Sequence, residues 1–319
     1  MQSFENFDFQ YFDEMKYFCL KNCFFQNMEY LGIEDSLLHI KLGLQFKILS
    51  NNDIFNTYKH ELLMPLFEMG LVEHGFGDNF EVVFGENTQS LPVIILVDVY
   101  YLPYRQEYQK YHASHTVFLA GYNEEFVRIV DWYSPYFYKG SVSFEDFKKA
   151  RISENPKDIN PFSGFAIKNY WYKIKSENLH MNPIDNIQKN LVDMKQSLSD
   201  DRKGVYTGLF AFEKVTAYME KQFLIPDAPL NMACKHIHDE LFIFYRAVIL
   251  AERYFEYARS RFPNDIDISH IEFLNEVSNA IEKINFYLLK GSISCSQETF
   301  RKSKILIENI IHLYNKSGG

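Results

Sequence analysis

The sequence predicts an α+β protein in which a helix-borne cysteine and an antiparallel sheet come first and an all-helical bundle follows. Three observations carry this. Apolar residues recur at helical spacing between Cys19 and Gly32. From residue 80 the pattern changes to strands, among them a β-branched run over 91–101 and a hairpin over 115–131. After Glu177 a 3.6-residue period sets in and persists. The expected organisation is therefore a mixed domain over residues 1–172 and a helical bundle domain over 177–319.

In the first element Leu20, Cys23, Phe24, Met28 and Leu31 form one stripe, and Gly32 suits a helix C-cap. Cys19 is thereby set at a helix N-terminus, where unpaired N–H groups and about half a positive charge favour a thiolate and any oxyanion formed beside it. A free cysteine also often serves as a small buried hydrophobe, so a core role stands beside the nucleophilic one. Cys23, a turn further along the inward stripe, reads as core.

The remaining elements follow in order. Residues 1–16 are aromatic and acidic without a clear period. A short helix is expected around Asp35–Leu44 and another over Thr57–Met69, interrupted at Pro65. Phe80–Phe84 and Leu91–Tyr101 read as strands, the second as a buried one, followed by a tyrosine-rich loop to His112. His115–Tyr122 and Phe126–Asp131 are two strands joined by the turn Asn123–Glu125. Such a hairpin sets its first residue beside its last, which makes neighbours of His115 and Asp131. An aspartate there fixes the imidazole tautomer and stabilises the imidazolium, the orienting role in a nucleophile–base–acid triad, while a plain His–Asp contact at a sheet edge has the same signature. Ser143–Asp146 is a capping box, and Phe165–Tyr172 reads as a last strand. Helices are then expected near 183–198, 204–223, 230–262, 269–290 and 296–316, with a second capping box at Ser269–Glu272.

Composition narrows the function classes. Hydrophobic residues at 47% and charged ones at 24% are those of a globular domain. The net charge of −9 is confined to one half: residues 1–172 hold 14 Lys and Arg against 23 Asp and Glu, and the rest hold 19 of each. Neither half shows the basic footprint that nucleic acid requires, whereas the acidic half would attract a small cation. Asp98, at the end of a buried strand, has two readings, as partner for an ammonium group or as anchor of the loop that follows. Tyr100, Tyr101 and Tyr104 of that loop are candidate walls of a binding site. The cysteines at 19, 23, 234 and 295 form no pair of Cys-x-x-Cys motifs and are expected as free thiols. Cys234, His236 and His238 are spaced by two on a helix and so diverge, and no metal site is expected. No glycine-rich phosphate loop is present in the sequence. No basic segment followed by an apolar run opens the chain, and no stretch approaches the ~18 apolar residues of a membrane span, so the expected compartment is the cytoplasm, away from any membrane.

Taken together, Cys19 with Gly32 thirteen residues on, Asp98-Val99-Tyr100-Tyr101-Leu102-Pro103-Tyr104, and His115–Tyr122 with Asp131 on the next strand resemble the BtrH-type family, named for the butirosin biosynthesis acyltransferase. The likeness covers about residues 15–170. It implies a papain-like cysteine-peptidase fold, a Cys19–His115–Asp131 triad, and transfer of an acyl group from a phosphopantetheinyl carrier-protein thioester to a small amine or diamine, with no other cofactor. Leader-cutting peptidases of similar fold carry a glutamine shortly before the cysteine as an oxyanion donor, where this chain has Asp13, its nearest glutamine being Gln10. The second oxyanion donor is thus unassigned. An acidic carrier protein would find clustered cations at Arg259 and Arg261 or at Arg301, Lys302 and Lys304; oligomeric state is left open. Two other functions share these residues: a cysteine peptidase or amidase, in which water resolves the acyl-enzyme, and a binding protein with a vestigial triad.

Overall fold

The computed structural model of the chain describes residues 19–51, 54–57, 72–76, 93–133, 136–160, 162–174, 182–200, 203–226 and 228–317. The lead-in over 1–16, the helix expected over 57–69 beyond Thr57, the strand over 80–84, and Gln10 and Asp13 lie outside the described residues.

The elements are α1 (Cys19–Tyr30), β1 (Lys47–Asn51), β2 (Ile54–Thr57), β3 (Val72–Gly75), β4 (Val93–Asp98), β5 (Ser114–Tyr122), β6 (Phe126–Tyr133), β7 (Tyr136–Ser143) and α2 (Phe144–Ile152). Then come β8 (Trp171–Ile174), α3 (Pro183–Lys195), β9 (Ser199–Asp200), β10 (Val205–Thr207), α4 (Leu209–Leu224), α5 (Leu230–Arg261), α6 (Ile268–Ile293) and α7 (Gln297–Ser317). The protein is therefore mixed α+β. It divides into two compact units, one of Met1–Ile40 and Leu66–Met181, the other of Lys41–Pro65 and Asn182–Gly319.

In the first unit six strands form one antiparallel sheet in the order β3-β8-β4-β5-β6-β7. α1 is buried from Leu20 to Met28, so it runs through the interior of its unit. It closes as its glycine foretold: Gly32 takes φ +76°, Gly32 N–H donates to Glu29 O and Ile33 N–H to Met28 O, a paired C-cap that only a left-handed residue allows without strain. α2 starts where the capping box lies, with Ser143 Oγ accepting from Asp146 N–H at 3.1 Å. Its Phe147 and Ala150 pack on Val93, Ile95, Val97, Val117, Leu119, Val127 and Ile129 as one apolar cluster. The β5–β6 turn is built by Asn123, whose Oδ1 accepts from Glu125 N–H and Phe126 N–H at 2.9 and 2.7 Å.

Several expectations are corrected. The helix expected over Asp35–Leu44 is a single 3₁₀ turn at Ser36–His39, after which Ile40, Leu42, Leu44, Phe46 and Ile48 are all buried. That alternation has period two, which is the extended pattern. The strand expected to Tyr101 stops at Asp98, where the Asp98 carboxylate accepts from Tyr100 N–H and turns the chain into a 3₁₀ turn. The last strand of the sheet lies at 171–174 rather than 165–172. The helix near 269 is capped by Asp267, not Ser269.

The second unit was expected to be all-helical, yet it also contains the antiparallel sheet β2-β1-β10-β9. Residues 41–65 belong to it although they lie in the first half of the sequence. Lys47–Leu49 pair with Val205–Thr207, which occupy the expected start of the 204–223 helix. Gly208 sets the true start. It adopts φ +54°, ψ −125°, and a Cβ there would lie 2.4 Å from Gln196 O, so the helix begins only at Leu209. Phe46, Phe212 and Phe244 meet with ring centroids 4.7–5.7 Å apart and anchor this core.

Candidate active site

Cys19 is the first residue of α1 and is partly exposed, whereas Cys23, one turn on, is 1% exposed and donates to Thr116 O. β5 brings His115 and Thr116 to the Cys19 sulfur. His115 pairs across the sheet with Val97, and its ring reaches Asp131 of β6, with Nε2 2.5 Å from Oδ1. With Nε2 held there, Nδ1 is the nitrogen left for Cys19.

The electrostatics follow from this line of contacts. Burial opposes ionisation of Cys19, but the charge of His115 and hydrogen bonds from His115 and Thr116 outweigh it and lower the thiol pKa to about 7. Burial also works against the His115 imidazolium, yet Asp131 and the Cys19 thiolate overcome this and raise it to about 9, with Arg105 pulling the other way. Since the thiol loses its proton below the pH at which the imidazolium does, thiolate and imidazolium coexist at neutral pH. Burial drives the Cys23 thiol well above the ordinary range, which leaves it a packing residue.

Asp131 is the most heavily supported group. Tyr104 Oη donates to its Oδ2 at 2.7 Å and Arg105 Nη1 lies 3.1 Å from the same oxygen. The Tyr104 ring stacks on Tyr138, and Tyr138 is the cross-strand neighbour of Asp131 on β7, which explains how the loop reaches the carboxylate. Arg105 is in turn held by Glu107, with Nε 3.2 Å from Oε2. Burial opposes the Asp131 carboxylate, but His115, Arg105 and Tyr104 hold its pKa below the usual value. The result is an alternating row of charges, Glu107, Arg105, Asp131, His115 and Cys19. Arg105 and Glu107 were missed from the sequence, as they sit in a loop with no periodicity to mark them. Thr116 was missed as an ordinary strand residue.

Asp98 is fully buried and both oxygens are taken. Oδ1 accepts from Tyr100 N–H and Ala113 N–H at 3.1 and 3.3 Å; Oδ2 accepts from Ser153 Oγ at 2.6 Å and lies 2.7 Å from His112 Nδ1. Val99 N–H donates to Ala113 O, so the carboxylate closes the neck of the loop that carries Tyr104 and Arg105. Tyr100 stacks on His112 at 4.2 Å and Tyr101 meets Tyr100 edge-on. Of the tyrosines singled out in the sequence, Tyr104 joins Asp131, while Tyr100 and Tyr101 gather at this neck.

In the second unit the expected cation cluster on α7 is largely answered: Lys302 pairs with Glu298, and Lys304 with Glu308 and Glu220. Among the described residues no group of three or more His, Cys, Asp or Glu converges as a metal site, and no helix is long and apolar enough to cross a membrane. Comparison with protein-family models and with curated proteins found no match to this chain.

Proposed function

We propose that this chain is a cysteine-dependent acyltransferase of papain-like fold, an amide synthase of natural-product biosynthesis acting in the cytoplasm. It takes an acyl group from a carrier-protein thioester onto Cys19 and passes it to a small primary amine or diamine. The observation that carries the reading is the continuous contact line from partly exposed Cys19 through buried His115 to buried Asp131.

The chemistry balances with these residues alone. The Cys19 thiolate attacks the acyl carbon, the S–C bond forms, and the carbonyl π pair moves to oxygen. Collapse of this intermediate expels the carrier thiolate, which takes the His115 proton. His115, now neutral, removes a proton from the attacking amine, and the second collapse releases amide and regenerates the thiolate. Thioester exchange is close to balanced in energy, so the route needs no nucleotide. The −9 balance of residues 1–172 supports a cationic acceptor.

The test is acyl discharge. Enzyme loaded from a small acyl thioester is mixed with ethylenediamine or with buffer, and the product is read by mass. Amide from the diamine supports the transferase; free acid formed equally fast in both would make the chain a hydrolase.

A further inference from the structure

We infer that Asn22 is a catalytic residue of this site, its side-chain amide donating a hydrogen bond to the oxyanion formed when Cys19 attacks an acyl carbon. This rests on the acyl-transfer reading above and assigns the second oxyanion donor that the sequence left open.

Three observations converge on Asn22. It lies three residues after Cys19 on α1, and residues three apart on a helix are surface neighbours. Helical Cα–Cβ bonds lean toward the N-terminus, so its side chain lies over the turn that begins with Cys19. It is 0% exposed, and neither Nδ2 nor Oδ1 has a hydrogen-bond partner.

The last point singles it out. Three other buried asparagines use at least one amide atom: Asn190 Oδ1 accepts from Leu42 N–H, Asn155 Nδ2 donates to Phe162 O and Phe165 O, and Asn186 Nδ2 donates to Tyr254 Oη, although Oδ1 of Asn155 and of Asn186 has no partner. Among the described residues, Asn22 is the one asparagine with both amide atoms buried and unpaired. An unpaired buried amide destabilises a fold and is retained where something else completes it. The missing partner fits the reaction: the oxyanion sits one carbon atom from Cys19 Sγ, beside the first-turn N–H groups of α1. Backbone N–H and the Asn22 amide then form a two-donor hole that is filled only during acyl transfer.

The experiment compares two reactions of the same sulfur. p-Nitrophenyl acetate acylates Cys19 through an oxyanion and releases a burst of p-nitrophenolate; iodoacetamide alkylates it at a saturated carbon and forms none. Asn22→Leu, close in shape and free of the unpaired amide, is expected to slow the burst about 100-fold or more while leaving alkylation unchanged and the melting temperature equal or higher. Asn22→Ala, smaller than the residue it replaces, is read in the same way. A burst of wild-type rate in either folded variant, or acylation and alkylation falling together, overturns the assignment. A wild-type protein that alkylates at Cys19 yet gives no burst overturns the acyl-transfer reading itself.

Discussion

His115 Nε2 lies 2.5 Å from Asp131 Oδ1 where the β5 and β6 ends meet, and the two residues are only 5% and 1% exposed. So little water reaches the pair that the carboxylate charge acts on the imidazole almost unscreened. Asp131→Asn keeps the shape but loses that charge. We expect it to fold normally and to slow acylation of Cys19 by up to about 10⁴-fold, measured in a single turnover. A variant with wild-type acylation would remove Asp131 from the mechanism.

The pH dependence follows from the same contacts. Cys19 titrates near 7 and His115 near 9, so the reactive thiolate–imidazolium form is gained as pH rises through about 7 and lost as it rises through about 9. Acylation rate against pH should be bell-shaped with those limbs, which belong to the coupled pair rather than to either residue. Asp131→Asn removes a charge that raises the His115 pKa, so its basic limb should move to lower pH.

Arg105 supports a different prediction. Its side chain and those of Asp131 and Glu107 are at most 4% exposed, so Arg105→Met takes the cation from a buried Glu107 and one of three partners from Asp131, which keeps His115 and Tyr104. A loss of about 3–5 kcal/mol in stability is expected by chemical denaturation. Arg105 also disfavours the His115 imidazolium, so in any folded variant the basic limb should move to higher pH. Adding Glu107→Gln removes one stranded charge and should restore part of the stability; no restoration would mean that the two residues do not act as a pair.

Asp98 sorts its two readings by substrate. With both oxygens already accepting from the protein, Asp98→Asn should cost at least about 2 kcal/mol of stability and reduce turnover of a diamine and a neutral monoamine equally. A raised KM for the diamine alone would instead make Asp98 an ammonium site.

What the sequence disclosed depended on length and period. The hairpin of β5 and β6 and the long helices α5, α6 and α7 repeat their pattern often enough to be read, and the hairpin brought His115 and Asp131 with it. Cys19 was legible because its helix has a stripe and a glycine stop. By contrast β9 and β10 have two and three residues, too few to show alternation, and β10 pairs with Lys47–Leu49 far away in sequence. Arg105 and Glu107 meet Asp131 through a folded loop, a relation no local pattern encodes. Asn22 was hidden for another reason: it sits in a readable helix, but only the packing reveals that its amide has no partner.

The most direct test of the account is whether Cys19 carries the acyl group. Wild-type protein, Cys19→Ala and Cys23→Ala are each incubated with a small acyl thioester near pH 8, and the intact mass and acylated peptide are determined. One acyl group on Cys19 in the wild type and in Cys23→Ala, none at that site in Cys19→Ala, and its discharge by ethylenediamine into an amide is the predicted result. Acylation on Cys23, or a Cys19→Ala variant that still forms the amide, would contradict it.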